Sequence, residues 1–353
     1  MAEKVTLLID GKRFEHWSEL ELTLSIDTFA TCSFKAPFEP EYKAFRDTFR
    51  PFKFTPLEIL VDDDLLFRGT MVGVHPSQDA ARSEVEVTGY ALPGVLADCN
   101  APGDTVPHEF KKVDLRTIAA ALAGPFGIDV KFEAGPGKKF EKAKLDEDKT
   151  IFAFLTELAQ QRSLVLANTP EGLLLCWQSV DVGNPVGTFV VDEEQPVTKV
   201  SASFNPNDYF ESITGFGRSK RRGTGAKHTE KNPWLPGVIR PNTYKVPDTD
   251  PADVPEATRA QLGRMFANMA SFTLEDMPGW RDPQGDLWRP NTTIKLTAPR
   301  AMIYRRSELL IRTVTLKQTA TVDSASFELV LPGAFNGKVP DFLPWEDEIT
   351  AGF

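Results

Sequence analysis

Apolar residues recur at every second position in several stretches of this chain, which is the period of a strand buried on one face. Leu20, Leu22, Leu24 and Ile26 alternate with polar residues, and so do the valines of Glu84-Val85-Glu86-Val87-Thr88 ahead of Gly89. Val5 to Ile9 leads into the turn signal Asp10-Gly11, with Phe14 and Trp17 following. Leu57 to Val61, the acidic turn Asp62-Asp63-Asp64 and Leu65 to Val74 predict a hairpin. Residues 1–103 therefore predict a small antiparallel barrel or sandwich. The 27 prolines among 353 residues, above the usual share of roughly 5%, favour strand ends and loops over long helices.

The period changes after the loop signal Ala101-Pro102-Gly103-Asp104. Leu115, Ile118, Ala119 and Leu122 fall on one helical face, with Asp114 placed to cap it and Gly124-Pro125 to stop it. Ile151, Phe154, Leu155 and Leu158 repeat the pattern after Asp148. Leu164 to Ala167, the turn from Asn168 to Gly172 and Leu173 to Trp177 predict another hairpin. Residues 104–182 thus read as a small α+β insertion.

Strands return over residues 183–353, at Val197 to Phe204, Tyr209 to Phe216, Thr292 to Thr297, Leu309 to Lys317 and Ser326 to Leu331. An arm between about 217 and 254, rich in Gly, Pro and charge, reads as a long loop. Pro255 suits a first helical turn, and Leu262, Met265, Phe266 and Met269 mark one helical face. This third region is accordingly a set of strands interrupted over about 217–272.

One internal repeat is visible. Leu65-Leu66-Phe67-Arg68 is followed by the alternating strand that starts at Val85, and Leu309-Leu310-Ile311-Arg312 by the one that starts at Phe327. Both copies close on a Pro-Gly turn, Pro93-Gly94 and Pro332-Gly333.

The chemistry-bearing residues form no pattern. His16, His75, His108 and His228 have neither HxxxH nor HExxH spacing, so no metal site is expected. Cys32, Cys99 and Cys176 form no CxxC and read as reduced thiols. Asp248 to Asp253 lacks the glycine and terminal glutamate of a calcium loop, and Gly215-Phe216-Gly217 has Lys220 where a dinucleotide fingerprint needs glycine. No GxSxG occurs, no catalytic residue is assigned and no cofactor is expected. Fifty acidic against 40 basic residues, a formal charge of −10, disfavour a polyanion as ligand, and the basic run Arg218 to Arg222 reads as a solvated loop. No stretch approaches the roughly 18 apolar residues of a membrane span. A short apolar run before Asp10 does not make a signal peptide, so synthesis in a cytoplasm is expected.

The order of motifs resembles the baseplate hub proteins of Mu-like contractile-tailed phages. The residues that carry the resemblance are Phe67 to Val74, Val85 to Leu92, Leu96-Ala97-Asp98-Cys99, Ala101-Pro102, Lys149 to Leu155, Leu158 to Arg162 and Pro170 to Leu175. In the last third they are Gly279-Trp280, Gly285 to Trp288, Pro290-Asn291, Leu309 to Ile311 and Leu329 to Phe335. Hub parts of type VI secretion spike proteins are related.

The resemblance implies a mainly β fold with two tube-like antiparallel β-barrel domains, 1–103 and 183–353, around the α+β module. It implies a non-enzymatic homotrimer whose doubled barrels form a pseudo-sixfold ring, joining the tail tube protein to a separate central spike protein. Other baseplate proteins and the tape measure protein would be further partners, and DNA would pass only in transit. The location would be the tail baseplate of the virion, assembled in the bacterial host cytoplasm. Phe335, Phe342, Leu343 and Trp345, with the acidic Glu346 to Glu348 beside them, are the expected partner contacts. Alternative readings are a tail-associated peptidoglycan hydrolase or a carbohydrate-binding tail protein.

Overall fold

A computed structural model describes residues 3–79, 83–103, 106–191, 199–217, 225–246 and 253–346. The first β half holds strands β1 (Val5–Ile9), β2 (Lys12–Phe14), β3 (Glu19–Ser25), β4 (Thr31–Pro37), β5 (Pro56–Val61), β6 (Asp64–Gln78) and β7 (Ser83–Ala91), with helix α1 (Lys43–Thr48) between β4 and β5. Asp10 and Gly11 both take positive φ, 53° and 71°, which is the left-handed turn that a two-residue hairpin needs.

A helical module follows. It contains α2 (Val95–Asp98), β8 (Glu109–Phe110), α3 (Leu115–Ala123), β9 (Val130–Phe132), β10 (Ala143–Lys144), α4 (Ile151–Gln160), β11 (Val165–Asn168) and β12 (Leu174–Trp177). Asp114 caps α3 by accepting the Thr117 N–H at 2.9 Å. For α4 the cap is Thr150, which accepts the Ala153 N–H, and not the earlier Asp148. A hydroxyl adjacent to the first helical residue reaches that N–H, whereas Asp148 lies two residues too early. The module has its own apolar core, including Leu115, Ile118, Phe140, Leu155 and Leu158.

The second β half holds β13 (Pro185–Val190), β14 (Lys199–Phe204), β15 (Ser212–Phe216), β16 (Lys227–Lys231), β17 (Pro241–Lys245), helix α5 (Val254–Met269), β18 (Ala270–Pro278), β19 (Thr293–Ala298), β20 (Ile303–Thr319) and β21 (Asp323–Val330). The described part of the expected arm is therefore not one long loop but two strands joined by a turn region over 232–240. β16 and β17 flank β15 in a three-stranded sheet, and the run Arg218 to Arg222 and Asp248 to Asp250 lie outside the described residues.

Both β halves share one sheet of thirteen strands. Its main path is β14-β18-β21-β20-β3-β4-β7-β6-β5-β1-β2, with β19 on β20 and β13 on β19. The halves meet where β3 lies antiparallel to the end of β20, Ser25 opposite Thr313 through Glu19 opposite Thr319. The sheet curls tightly, since the ring of Phe14 in β2 lies 6.0 Å from that of Phe34 in β4 despite the strands between them. In the second half Trp288 fills the curl, against Phe189 of β13 and Phe327 of β21.

The register reveals the duplication. In the first half β7 joins Gln78 to Ser83 and a bulge falls at Val72; in the second, Gln318 joins Asp323 and a bulge falls at Arg312. Each residue of β6 and β7 thus has a counterpart 240 positions later, and β4 maps onto the start of β18 by the same shift. β3 maps onto β14 with a shift of 180, Glu19 onto Lys199. The pairing of Leu65-Leu66-Phe67-Arg68 with Leu309-Leu310-Ile311-Arg312 is therefore four residues out of register. The likeness there is one of composition, while the bulges mark the true equivalence. Copy two differs in two ways: β13 runs parallel to β19 where β1 runs antiparallel to β5, and residues 205–269 replace the five-residue link between β3 and β4.

Candidate assembly surface

One face of the shared sheet is core and the other is polar. Leu20, Leu22, Phe34, Val85, Val87, Val314, Leu316, Phe327 and Phe272 point inward and are buried. The alternate positions carry Lys199, Ser201 and Ser203 on β14, Thr273 and Glu275 on β18, Ser326 and Glu328 on β21, and Thr313, Thr315 and Lys317 on β20. The row continues with Glu19, Glu21 and Thr23 on β3, Ser33 and Lys35 on β4, and Glu84, Glu86 and Thr88 on β7. The six glutamates outnumber Lys35, Lys199 and Lys317, so this face is acidic with a hydroxyl-rich middle.

At the joint between halves, Glu19 accepts from Lys317 at 2.7 Å and from Lys35 at 2.8 Å. Those two bonds, that from Lys317 foremost, push the Glu19 carboxyl down to about 2. The equivalent cross-strand pair in copy two has both signs inverted. Lys199 stands where Glu19 does, and its partner Glu275 stands where Lys35 does, at 2.8 Å.

Two stretches of strand edge have no partner among the described residues. β14 ends the sheet path. The Asn205 N–H donates to Met269 O at 2.7 Å, so by alternation Ser203 and Ser201 turn their backbone groups to β18, and Phe204, Ala202 and Val200 turn theirs outward. The other edge is the end of β6 beyond β5, from Gly73 to Gln78. Phe38 N–H donates to Ser83 O, away from β6, so Gln78, Pro76 and Val74 present their backbone groups to the free side. Pro76 suits that place because it has no N–H to leave unsatisfied. In copy two the matching stretch of β20 is the one covered by β3.

The four expected partner residues divide into two pairs. Phe335 and Leu343 belong to the core, at 3% and 1% exposure. Phe342 and Trp345 are half-buried. The Arg305 guanidinium lies 4.5 Å over the ring of Phe342, and Trp345 packs edge-on against Phe204 of β14 at 5.0 Å. Nothing in the sequence distinguishes the two pairs, because all four are large apolar residues in short segments without an apolar period. Asp347 and Glu348 lie outside the described residues.

The helical module holds the insertion and the first β half together. Arg264 of α5 is buried and donates to the carbonyls of Gln160 and Leu164, and burial pushes its pKa down to about 10. On the other side, Trp177 donates to Ile26 O at 2.9 Å and Asn168 accepts the Ala30 N–H. Both contacts seize the link between β3 and β4. The residues that make them lie in the hairpin read from sequence, but the distances to their partners, 151 and 138 residues, carry no sequence signal.

Residues 93–177 match the family described as baseplate hub protein gp44-like, second domain. The chain carries a gp44-like baseplate hub domain. That match spans the helical module and begins eleven residues before the expected start at residue 104. The whole chain is similar to the baseplate hub protein gp44 of Escherichia phage Mu, 24% identical over 333 residues covering 90% of this chain and 84% of that protein. Among solved structures it resembles the 43 kDa tail protein of prophage MuSo2 from Shewanella oneidensis, with TM-score 0.78 and 19% identity over 94% of this chain and 99% of the other. It also resembles the Escherichia coli c3393 protein, described as a type VI secretion component similar to T4 tail proteins gp27 and gp5. There the TM-score is 0.53 and the identity 10%, over 92% of this chain and 76% of the other. The gp44-like hub domain and the tail-protein fold agree with the resemblance read from sequence.

Proposed function

We propose that this chain is the structural, non-enzymatic hub of a contractile phage tail baseplate, acting as a trimer that presents a pseudo-sixfold ring to the tail tube and carries a central spike. The observation that carries this reading is the doubled ladder. One chain holds two equivalent β halves, joined by one strand-to-strand contact and ending in the two edges that would make the same contact again. A threefold ring of such chains repeats one contact six times, which is what a hexameric tube requires of a threefold partner. Similarity to the Mu hub protein over 90% of this chain supports the place in the tail, hence the virion.

In that ring the acidic, hydroxyl-rich face would line the bore. Its glutamates would repel the phosphates of passing DNA, and its short Ser and Thr side chains would leave nothing for bases to stack on. The helical module would lie outside the ring, toward other baseplate proteins. Trp345 and Phe342 would meet the spike, with Phe335 and Leu343 supporting them from the core.

Mass photometry with negative-stain imaging tests the reading. A hollow threefold particle of six-lobed outline is expected. A chain that stays monomeric at every attainable concentration would reject it, and activity on a peptidoglycan zymogram or a glycan array would favour the hydrolase or the carbohydrate-binding reading instead. Loss of spike capture when residues 340–353 are removed is the expected result for the docking role, and unchanged capture rejects it.

A further inference from the structure

The two open edges match each other in more than position. We infer that β14 of one chain pairs antiparallel with Gly73–Gln78 of a second copy, in the register Phe204 opposite Val74, Ala202 opposite Pro76 and Val200 opposite Gln78, and that the inverted charges at Lys199 make this seam selective. The inference deepens the ring proposed above and rests on it.

The register comes from the joint inside the chain. There Leu24 lies opposite Val314, Leu22 opposite Leu316 and Leu20 opposite Gln318. Shifting β3 by 180 and β20 by 240 converts these pairs into Phe204–Val74, Ala202–Pro76 and Val200–Gln78. Hydrogen bonds elsewhere fix the backbone directions independently, Asn205 N–H to Met269 O for β14 and Phe38 N–H to Ser83 O for β6, and they agree with this register. The residues whose groups face outward on β14 are 200, 202 and 204, and those on β6 are 74, 76 and 78. A slip of one residue would set an outward-facing group against an inward-facing one. Pro76 costs the seam a single N–H donor, while its carbonyl still accepts.

Charge then decides between partners. The same shifts that place Thr319 opposite Glu19 place Asp79 opposite Lys199. In the internal joint a carboxylate on the edge strand is held between two lysines; in the seam a lysine would be held between Glu275 and Asp79. Were β14 to take the place of β3 on another copy's β20, Lys199 would meet Lys317. Were β3 to seek β6, Glu19 would meet Asp79. Each wrong pairing sets like charges together, which is how neighbouring edges of one fold are kept from exchanging. The partner is thus a second copy of this chain, and the contact is heterologous, so it closes a ring when the rotation permits.

Cysteine pairs read the register. Ser77 and Ser201 would form a non-hydrogen-bonded pair across the seam, the closer kind, with Cα atoms about 4.5 Å apart and within disulfide reach. In a Cys99→Ser chain, Ser77→Cys with Ser201→Cys is expected to oxidise to a covalent ring that runs as a trimer on a non-reducing gel. Either substitution alone leaves monomers, and Ser77→Cys with Ser203→Cys links at least several-fold less. If the parent chain is a trimer but the matched pair fails to link, or links no better than the offset pair, the seam is wrong while the ring stands. If the parent chain is a monomer, both fall. Asp79→Lys is expected to lower the trimer fraction several-fold at fixed concentration. Adding Lys199→Glu and Glu275→Lys should restore it; trimers indifferent to all three changes would overturn the charge selection.

Discussion

The guanidinium of Arg162 meets the carboxylate of Asp253 at 2.8 Å, with the two side chains only 1% and 7% exposed. Arg162 follows the end of α4 and Asp253 precedes α5, so one buried pair fastens the gp44-like module to the insertion in the second β half. The ring of Phe140 lies against the same guanidinium at 4.4 Å. Replacing Asp253 with Ala leaves that charge buried and uncompensated, at a cost of about 3–5 kcal/mol. Urea unfolding measures it, and Arg162→Met combined with Asp253→Leu should recover most of the loss.

Helix α5 approaches a neighbouring turn too closely for any side chain at one position. A Cβ on Gly263 would lie 2.5 Å from Ala334 O and 2.5 Å from Gly337 Cα, both backbone. Gly263→Ala must separate helix and turn, and about 1–3 kcal/mol of destabilisation is expected. Gly103, where an added Cβ would meet nothing within 4 Å, is the control: Gly103→Ala should leave the melting temperature unchanged.

The joint between β3 and β20 titrates. The Glu19 carboxyl falls from an ordinary 4.5 to about 2 in the folded chain. A lowered folded value contributes stability above pH 4.5 that disappears as pH drops toward 2. Lys317 and Lys35 are raised by the same contacts, so their contribution is complete below their ordinary 10.5 and disappears only at higher pH. Urea midpoints measured against pH should therefore decline below 4.5, and Glu19→Gln should flatten that decline while costing about 1 kcal/mol near neutrality.

Burial pushes the thiols of Cys32 and Cys176 up to about 12, whereas Cys99 is only partly buried. The thiolate is the reactive form. One thiol per chain should react with a disulfide reagent under native conditions, and all three after unfolding. Loss of the fast phase in Cys99→Ser assigns it.

Elements with an apolar rhythm were legible in the sequence. Leu20, Leu22 and Leu24 announce β3, and Leu262, Met265, Phe266 and Met269 announce the buried side of α5, because burial itself imposes the period. Strands β16 and β17 have no such rhythm. Lys-His-Thr-Glu-Lys and Pro-Asn-Thr-Tyr-Lys are held by backbone pairing to β15 and by contacts such as Thr214 to Thr229 at 2.9 Å. The duplication was legible in outline and wrong in register, because equivalent positions carry unlike residues: Gly73 answers Thr313, and Pro76 answers Leu316. For the assembly surface the obstacle is similar. An aromatic that serves a partner and one that serves its own core look the same in a row of letters, so Phe335 was not separable from Trp345. The open edges are a property of the backbone, unpaired there among the described residues, and a backbone is common to every residue.

The two copies have hairpins equal to the residue, while the link is five residues long after β3 and sixty-five between β14 and β18. A ladder is sensitive to phase and a surface link is not. One residue gained within β6 or β7 would turn core side chains toward solvent for the rest of the strand, but sixty gained at the link leave every pairing intact. The equal hairpins and the unequal link thus express one constraint: pairing fixes the residue count where strands meet and leaves it open where they do not.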